Sequence, residues 1–181
     1  MRRLADEEQI RLFMSELGAE ADAETHVYFT GGATAVLMGW RTSTIDVDIT
    51  ISPESDRLLR AIPGLKEALE LNVELASPAH FIPELPGWLD RSRYIGREGK
   101  ISFFHYDLYA QALAKIERGH VQDLADVREM LQRSLVESGK LRQLFEAIAP
   151  QLYRFPAIDP TSFRRALQVA LSGHDVWPPA G

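Results

Sequence analysis

Hydrophobic residues recur at helical spacing near the start of the chain. Within residues 5–17, Ile10, Phe13 and Leu17 lie on one side of a helix, with polar residues between them. Gly18 follows directly, and glycine commonly ends a helix. We therefore predict an amphipathic helix over residues 5–17 that ends at Gly18.

The most regular alternation of the chain lies in residues 45–51. Side chains of a strand point alternately to two faces, so the aliphatic residues of this segment share one face and the polar residues share the other. The aliphatic set is Ile45, Val47, Ile49 and Ile51, and the polar set is Asp46, Asp48 and Thr50. We predict a strand that packs on a core through its aliphatic face and carries two carboxylates on the opposite face.

The remaining pattern predicts short strands first and helices afterwards. The other predicted strands are 26–29, 72–75 and a hairpin within 91–106 that turns near 96–99. The predicted helices are 33–38 ending at Gly39, one that begins at Pro53 and breaks at Pro63-Gly64, and a series from Leu108 with breaks near Gly119, Gly139 and Pro150 and a last helix at 161–171. Residues 77–87 are predicted as loop. This order indicates an α+β fold, with a core over residues 1–106 and a helical lobe over residues 107–181 packed as a single compact unit.

Composition narrows the class of protein. The 181 residues are 45% hydrophobic and 25% charged, which is enough apolar content for a globular core. There is no cysteine, so disulfides and zinc–cysteine sites are excluded. No run approaches the roughly 20 apolar residues that span a bilayer, and the N-terminus lacks a signal-peptide core. We expect a cytoplasmic protein without a membrane partner, and the net charge of −6 argues against broad nucleic-acid binding.

The two aspartates of the alternating strand indicate metal binding. Aspartate is disfavoured in strands, and two like charges on neighbouring positions of one face repel each other. A divalent cation removes this conflict, and Mg²⁺ favours a few carboxylates together with water and phosphate oxygens. The alternative is an amphipathic strand whose polar face is simply solvated.

A pair of glycines precedes this strand. Gly31 and Gly32 come just before the predicted helix 33–38, and glycines at a helix start let backbone N–H groups approach an anion closely. Thr34 adds a hydroxyl in the first turn. A phosphate could therefore bind here beside the two aspartates, although a tight turn alone also explains two glycines.

The segment TGGATAVLMGWRTSTIDVDI, residues 30–49, resembles the signature of the nucleotidyltransferase superfamily that shares the DNA polymerase β catalytic fold. The resemblance is closest to small bacterial nucleotidyltransferases, including AbiEii-like toxins. It implies a mixed-sheet core with a C-terminal helical lobe. It also implies transfer of a nucleoside monophosphate from an NTP to an acceptor hydroxyl on RNA or protein, with Mg²⁺ (or Mn²⁺). A cognate toxin or antitoxin would be a partner.

A second segment, residues 108–127, matches the later motif of those enzymes. Lys115 and Arg118 lie three residues apart, as do Asp123 and Asp126, so each pair shares a helical face. The resemblance implies that Lys115 and Arg118 contact the nucleotide and that Asp123 orients Lys115 or completes the site. The alternatives are a solvated lysine and aspartates that favour a helix N-terminus.

Superfamily members that use two metals commonly add a third carboxylate from a neighbouring strand. Glu74, in the predicted strand 72–75, is the favoured candidate because it follows the helix after the Asp-x-Asp strand. Asp107 is the other candidate, or instead caps the helix that begins at Leu108. The predicted catalytic and metal-binding set is therefore Asp46, Asp48 and Glu74.

Other polar and aromatic groups receive weaker assignments. For an RNA acceptor the candidate contact is the cluster Arg91, Arg93, Arg97 and Lys100, which a solvated surface also explains. His80, Phe81 and Trp88 in or beside the loop could stack a base or plug the edge of a core. The five histidines, His26, His80, His105, His120 and His174, lack metal-ligand spacing and receive no role.

Two other functions stay open at this stage. The first is a catalytically inactive nucleotidyltransferase-fold protein that binds a ligand or acts as an antitoxin. The second is a haloacid-dehalogenase-type phosphatase, because the run from Asp46 to Thr50 also resembles the nucleophile motif of that family. Asp46 would then be the nucleophile and Asp48 the acid.

Overall fold

The structure, a computed structural model, describes residues 3–173, and these form two compact units. One unit comprises residues 3–77 and 89–107, and the other comprises residues 78–88 and 108–173. The predicted division at 106/107 assigned residues 78–88 to the core, whereas the structure groups them with the C-terminal helices. The ends of the predicted domains, residues 1–2 and 174–181 with His174, lie outside the described residues.

A five-stranded mixed sheet forms the centre of the first unit. Its strands are β1 Thr25–Thr30, β2 Asp46–Ser52, β3 Asn72–Leu75, β4 Arg93–Glu98 and β5 Ile101–His105. Their order is β3-β2-β1-β5-β4. β1 is antiparallel to β2 and parallel to β5, β2 is parallel to β3, and β4 is antiparallel to β5. The α+β class, the Asn72–Leu75 strand and the hairpin are therefore confirmed.

Helices cover one face of this sheet. They are α1 Glu7–Glu20, α2 Gly31–Leu37 and α3 Asp56–Leu69. A further one-turn helix, α4 Trp88–Arg91, begins where the chain passes from residue 88 of the second unit to residue 89 of the first. The apolar stripe of α1 packs with Val47 and Ile49 of β2 in one buried cluster. Since these two residues are fully buried, alternation leaves Asp46 and Asp48 on the opposite face of β2.

The tertiary structure overrides three local predictions in this unit. Gly18 does not end α1 but lies within it, where an added Cβ would come within 2.6 Å of Glu98 in β4, so glycine permits close packing. α3 begins after Ser55, whose hydroxyl accepts from the Leu58 N–H, rather than at Pro53, and it continues through Pro63 because Leu58 and Ile62 anchor it in the core. Ile45 precedes β2 and is 68% exposed, so it does not join the aliphatic face.

The second unit is helical. It contains α5 Leu108–Arg118, α6 Val121–Gln132, α7 Ser138–Ile148 and α8 Pro160–Leu171, with two 3₁₀ helices at Pro78–His80 and Ala149–Arg154. α5 packs against α6, α7 and α8. The predicted break at Gly139 is wrong, since Gly139 lies inside α7 and the chain turns earlier, where Ser134 has a φ of 55°. No helix within residues 3–173 is both long and apolar enough to cross a membrane.

Candidate functional site

The sheet places three of the predicted site residues in one patch. β2 and β3 run parallel with Asp48 opposite Glu74 and Asp46 opposite Asn72. Directly paired residues of neighbouring strands point to the same face and lie about 5 Å apart at the backbone. Asp46, Asp48, Asn72 and Glu74 therefore form a polar patch, which we call the carboxylate row, on the face away from the core.

Asn72 connects two of these carboxylates. Its side-chain amide Nδ2 donates to Oδ1 of Asp46 at 2.5 Å and to Oε1 of Glu74 at 3.0 Å. Asp46 is half-buried and Glu74 is exposed. The sequence reasoning missed Asn72, although its position two residues before Glu74 in the same strand would have placed both side chains on one face.

The glycine pair lies directly beside the carboxylate row. Gly31 has a φ of 62°, and a Cβ added there would come within 3.0 Å of Oδ2 of Asp48. Gly32 lies even closer to the Thr44 side chain, because a Cβ added at Gly32 would come within 1.9 Å of the Thr44 hydroxyl. Gly31 thus needs glycine for its backbone conformation, and it brings the backbone at the start of α2 against the Asp48 carboxylate.

Thr34 faces the interior instead. Its side chain is fully buried, and its hydroxyl donates to the Phe29 carbonyl at 3.2 Å and lies 3.2 Å from Nδ1 of His105. A hydroxyl held in this way is directed into the core rather than toward a ligand. The structure therefore gives no support to the predicted contact between Thr34 and a nucleotide.

His105, at the end of β5, is a buried imidazole. Burial, with smaller contributions from the charges of Arg93 and Arg11, lowers its pKa from 6.5 to about 4. The ring is therefore neutral near pH 7. It lies on the core face of the sheet, opposite Phe29 of β1, and it forms no part of the carboxylate row.

Asp107, the other candidate for the third carboxylate, lies elsewhere in the sheet. It follows β5, which is separated from β2 by β1. Its side chain is buried and accepts from Nε and Nη2 of Arg91 at 3.1 and 2.7 Å. Its position and its ion pair favour Glu74 as the neighbour of Asp48.

The donor set of the carboxylate row fits a hard divalent cation only in part. Its carboxylate oxygens are of the type that Mg²⁺ binds. Within residues 3–173, however, no three His, Cys, Asp or Glu side chains lie close enough together to hold a metal ion as they stand. A cation held by two carboxylates would take its remaining ligands from water and from phosphate oxygens, as is usual for Mg²⁺.

The second unit brings together the residues of the later motif. Nζ of Lys115 on α5 donates to Asp123 at 3.2 Å and to Asp126 at 2.7 Å on α6. The side chains of these three residues are no more than 8% exposed. Arg118 donates three further hydrogen bonds to Asp123, from Nε to Oδ2 at 3.1 Å and from Nη2 to Oδ1 and Oδ2 at 2.8 and 2.9 Å. We call this group the helical ion cluster.

The cations of the helical ion cluster control the charge of Asp123. Burial alone would raise its pKa, but the Arg118 hydrogen bonds and the charges of Lys115 and Arg118 outweigh burial and hold the pKa below its usual value. The Arg118 side chain is 44% exposed, and its guanidinium lies 5.8 Å from the centre of the Phe81 ring. Arg118 is thus the cation of this cluster that solvent reaches.

Arg91, Arg97 and Lys100, cations of the predicted RNA contact, form contacts within the protein. Arg91 pairs with Asp107, Arg97 pairs with Glu24 at 2.6 Å, and Nζ of Lys100 donates to the Asp22 carbonyl at 2.9 Å. The Arg97 and Lys100 contacts tie the β4–β5 hairpin to the chain before β1, and the Arg91 pair ties α4 to the end of β5. They account for these three cations without a nucleic-acid partner.

The strand directions of the sheet bear on the phosphatase alternative. β2 pairs antiparallel with β1, and the sheet is mixed. The phosphatase nucleophile motif normally opens a parallel sheet, so this sheet does not favour that function.

One family comparison covers both groups of residues. Residues 8–157 of the 181-residue chain match the family described as "Nucleotidyltransferase of unknown function (DUF6036)". No curated protein and no solved structure matched the chain. The matched range includes the glycine pair, the carboxylate row and the helical ion cluster. Because the match spans most of its length, the chain belongs to this family of nucleotidyltransferases.

Proposed function

We propose that the protein transfers a nucleoside monophosphate from an NTP to an acceptor hydroxyl, with the carboxylate row as the reaction site. The observation that carries this proposal is the pairing of Asp48 with Glu74 across β2 and β3, with Gly31 against the Asp48 carboxylate. Acidic side chains and the glycine backbone at the start of α2 then lie side by side, which suits a site for a metal-bound triphosphate.

Asp46 and Asp48 would hold a divalent cation, Mg²⁺ or Mn²⁺, and Glu74 would complete its surroundings. When bound, such a cation polarises the phosphate oxygens and offsets the negative charge that develops in the transition state. The backbone N–H groups of Gly31 and Gly32 would donate to phosphate oxygens. Glycine at these two positions supports this role, because neither residue has a side chain of its own that would stand between the backbone and a phosphate.

The reaction is an in-line displacement at the α-phosphorus. The acceptor oxygen forms a bond to this phosphorus while the bond to the bridging oxygen of the β-phosphate breaks, and pyrophosphate leaves. The acceptor hydroxyl loses its proton in the same step. We assign this proton to Glu74, because it is the most exposed carboxylate of the row and is open to the acceptor and to solvent.

The helical ion cluster receives a narrower role than the resemblance implied. The Lys115 ammonium is buried between two carboxylates, so we propose that it fixes Asp123 and Asp126 within the helical unit. Arg118, which solvent reaches, is the member suited to a nucleotide phosphate. The link to AbiEii-like toxins, a cognate toxin or antitoxin partner, and an RNA or protein acceptor remain predictions from the resemblance.

A second candidate is a member of the family that binds nucleotides without turnover. The observation that favours it is the lack, in the described part of the chain, of three metal-ligating side chains in one cluster. Such a protein would bind an NTP with Mg²⁺ through the same row and release it unchanged.

Labelled NTPs decide between these candidates. Each of the four NTPs would be incubated with Mg²⁺, total RNA and cell lysate, with wild-type protein and with Asp48→Ala in parallel. Label that passes to RNA or protein with wild type alone would support the transferase. Equal labelling with both proteins would overturn it, and NTP binding without any labelling would support the second candidate.

A further inference from the structure

Asn72 is the one residue of the carboxylate row that is not acidic, and it lies opposite Asp46 on the neighbouring strand. It pairs with Asp46 across the two strands, and it lies two residues before Glu74 on the same face. Its amide is therefore the neutral group between two carboxylates.

The hydrogen bonds of Asn72 constrain both neighbours at once. Carboxylates are acceptors only, so the amide must present its N–H groups to them. Within residues 3–173, the two bonds from Asn72 are the only hydrogen bonds to the side-chain carboxylates of Asp46 and Glu74. One oxygen of each carboxylate is held, and the second oxygen of each remains available to a ligand.

We propose that Asn72 is a positioning residue that orients Asp46 and Glu74 for a divalent cation. Carboxylates that bind metals are themselves usually hydrogen-bonded, and the loss of such a partner typically costs 10–100-fold in metal affinity. Asn72 supplies these bonds from a strand whose register fixes it beside both carboxylates. This inference rests on the proposed function.

A metal-binding experiment tests this role without the need for an acceptor. Mn²⁺ alone would be titrated into the full chain, and free Mn²⁺ would be followed by electron paramagnetic resonance. We expect Asn72→Ala to raise the Mn²⁺ dissociation constant 10–100-fold. Thermal unfolding of the same samples would show whether the variant is folded.

Thr50→Val is the matched control. The Thr50 hydroxyl donates to the Ala76 carbonyl at 2.9 Å, so it also ties β2 to the chain around β3, but it forms no hydrogen bond to a carboxylate of the row. We expect Mn²⁺ binding within twofold of wild type for this variant. An equal loss in Thr50→Val and Asn72→Ala would overturn the inference, because general loosening of the two strands would then explain both.

The remaining outcomes separate this inference from the proposed function. Unchanged Mn²⁺ affinity in Asn72→Ala, with a wild type that binds Mn²⁺ and transfers nucleotide, would overturn the role of Asn72 alone. A wild type that binds no Mn²⁺ would overturn both. If Asn72→Ala does not fold, Asn72→Leu, which keeps a side chain of similar length and removes both donors, takes its place, and wild-type affinity in that variant would overturn the inference.

Discussion

The carboxylate row and the helical ion cluster assemble acidic side chains in opposite ways. In the cluster, two buried aspartates are matched by Lys115 and Arg118 in short ion pairs. In the row, Asp46 and Glu74 share one neutral amide, and the row is half-buried to exposed. In the cluster two cations neutralise two carboxylates, whereas in the row Asp46 and Glu74 are hydrogen-bonded to a neutral group and no cation among residues 3–173 is paired with them.

This difference separates charged residues that stabilise the fold from charged residues that are placed to bind a ligand. A buried charge whose partner is lost is strongly destabilising, so substitutions in the cluster should act on folding. A solvent-accessible carboxylate contributes little to stability, so substitutions in the row should act on ligand binding and on transfer. The following four predictions test that separation.

Substitution in the row should remove activity without unfolding the protein. We expect Asp46→Ala to slow nucleotide transfer about 1,000-fold, on the order of 4 kcal/mol, because the cation loses a ligand. The free energy of unfolding should change by less than about 1 kcal/mol. Label transfer and urea denaturation measure the two effects. Glu54→Ala, which removes an exposed carboxylate just after β2, should change neither.

Substitution in the helical ion cluster should lower the free energy of unfolding. We expect Asp126→Ala to lower the free energy of unfolding by about 3–5 kcal/mol, because Lys115 loses its shorter ion pair in a buried site. Glu129→Ala breaks an exposed pair with Arg133, the residue that follows α6, and should cost no more than about 0.5 kcal/mol. Urea denaturation of both variants makes the comparison. Similar losses in the two would mean that burial does not distinguish the cluster.

The two units should lose stability in different pH ranges. His105 has a folded pKa of about 4 against 6.5 when unfolded, so the unfolded state binds the proton more tightly. Its contribution, up to about 3 kcal/mol, is complete above pH 6.5 and is lost as the pH falls toward 4. Asp123 has a lowered pKa, so its contribution is present above its ordinary value of 3.8 and is lost below it.

Urea denaturation across pH 3–8 measures this dependence. His105→Asn should flatten the profile between pH 4 and 6.5 and leave the fall below pH 3.8 in place. A profile that is unchanged in His105→Asn would show that the imidazole is not the group that titrates in that window.

The smallest effect is expected at the glycine beside the row. Gly31→Ala puts a Cβ at a φ of 62° and within 3.0 Å of the Asp48 carboxylate, and we expect a loss of about 1–2 kcal/mol in stability. Transfer should fall as well, since Asp48 must shift. Gly64→Ala, in α3 with open space around it, should instead stabilise the protein by up to about 1 kcal/mol. Equal effects at both positions would argue against a special role for Gly31.

Much of the first unit follows from local pattern. The period of two in residues 45–51 was enough to place Asp46 and Asp48 on one face of a strand, and Asn72–Leu75 was predicted with the observed bounds. Local signals failed where a distant element intervened. Gly18 remains helical because Glu98 packs against it, and Pro63 remains in α3 because Leu58 and Ile62 are buried beside it.

The sequence by itself determined the alternation, the glycine pair and the spacing of charges on helices, because each of these depends on neighbours along the chain. Only the tertiary structure decided that β3 lies next to β2 in the register that pairs Glu74 with Asp48 and Asn72 with Asp46. It also decided that Thr34 and Lys115 are buried. Strand neighbours and burial depend on contacts between distant segments, and the periodicity of one segment does not specify which other segment packs against it.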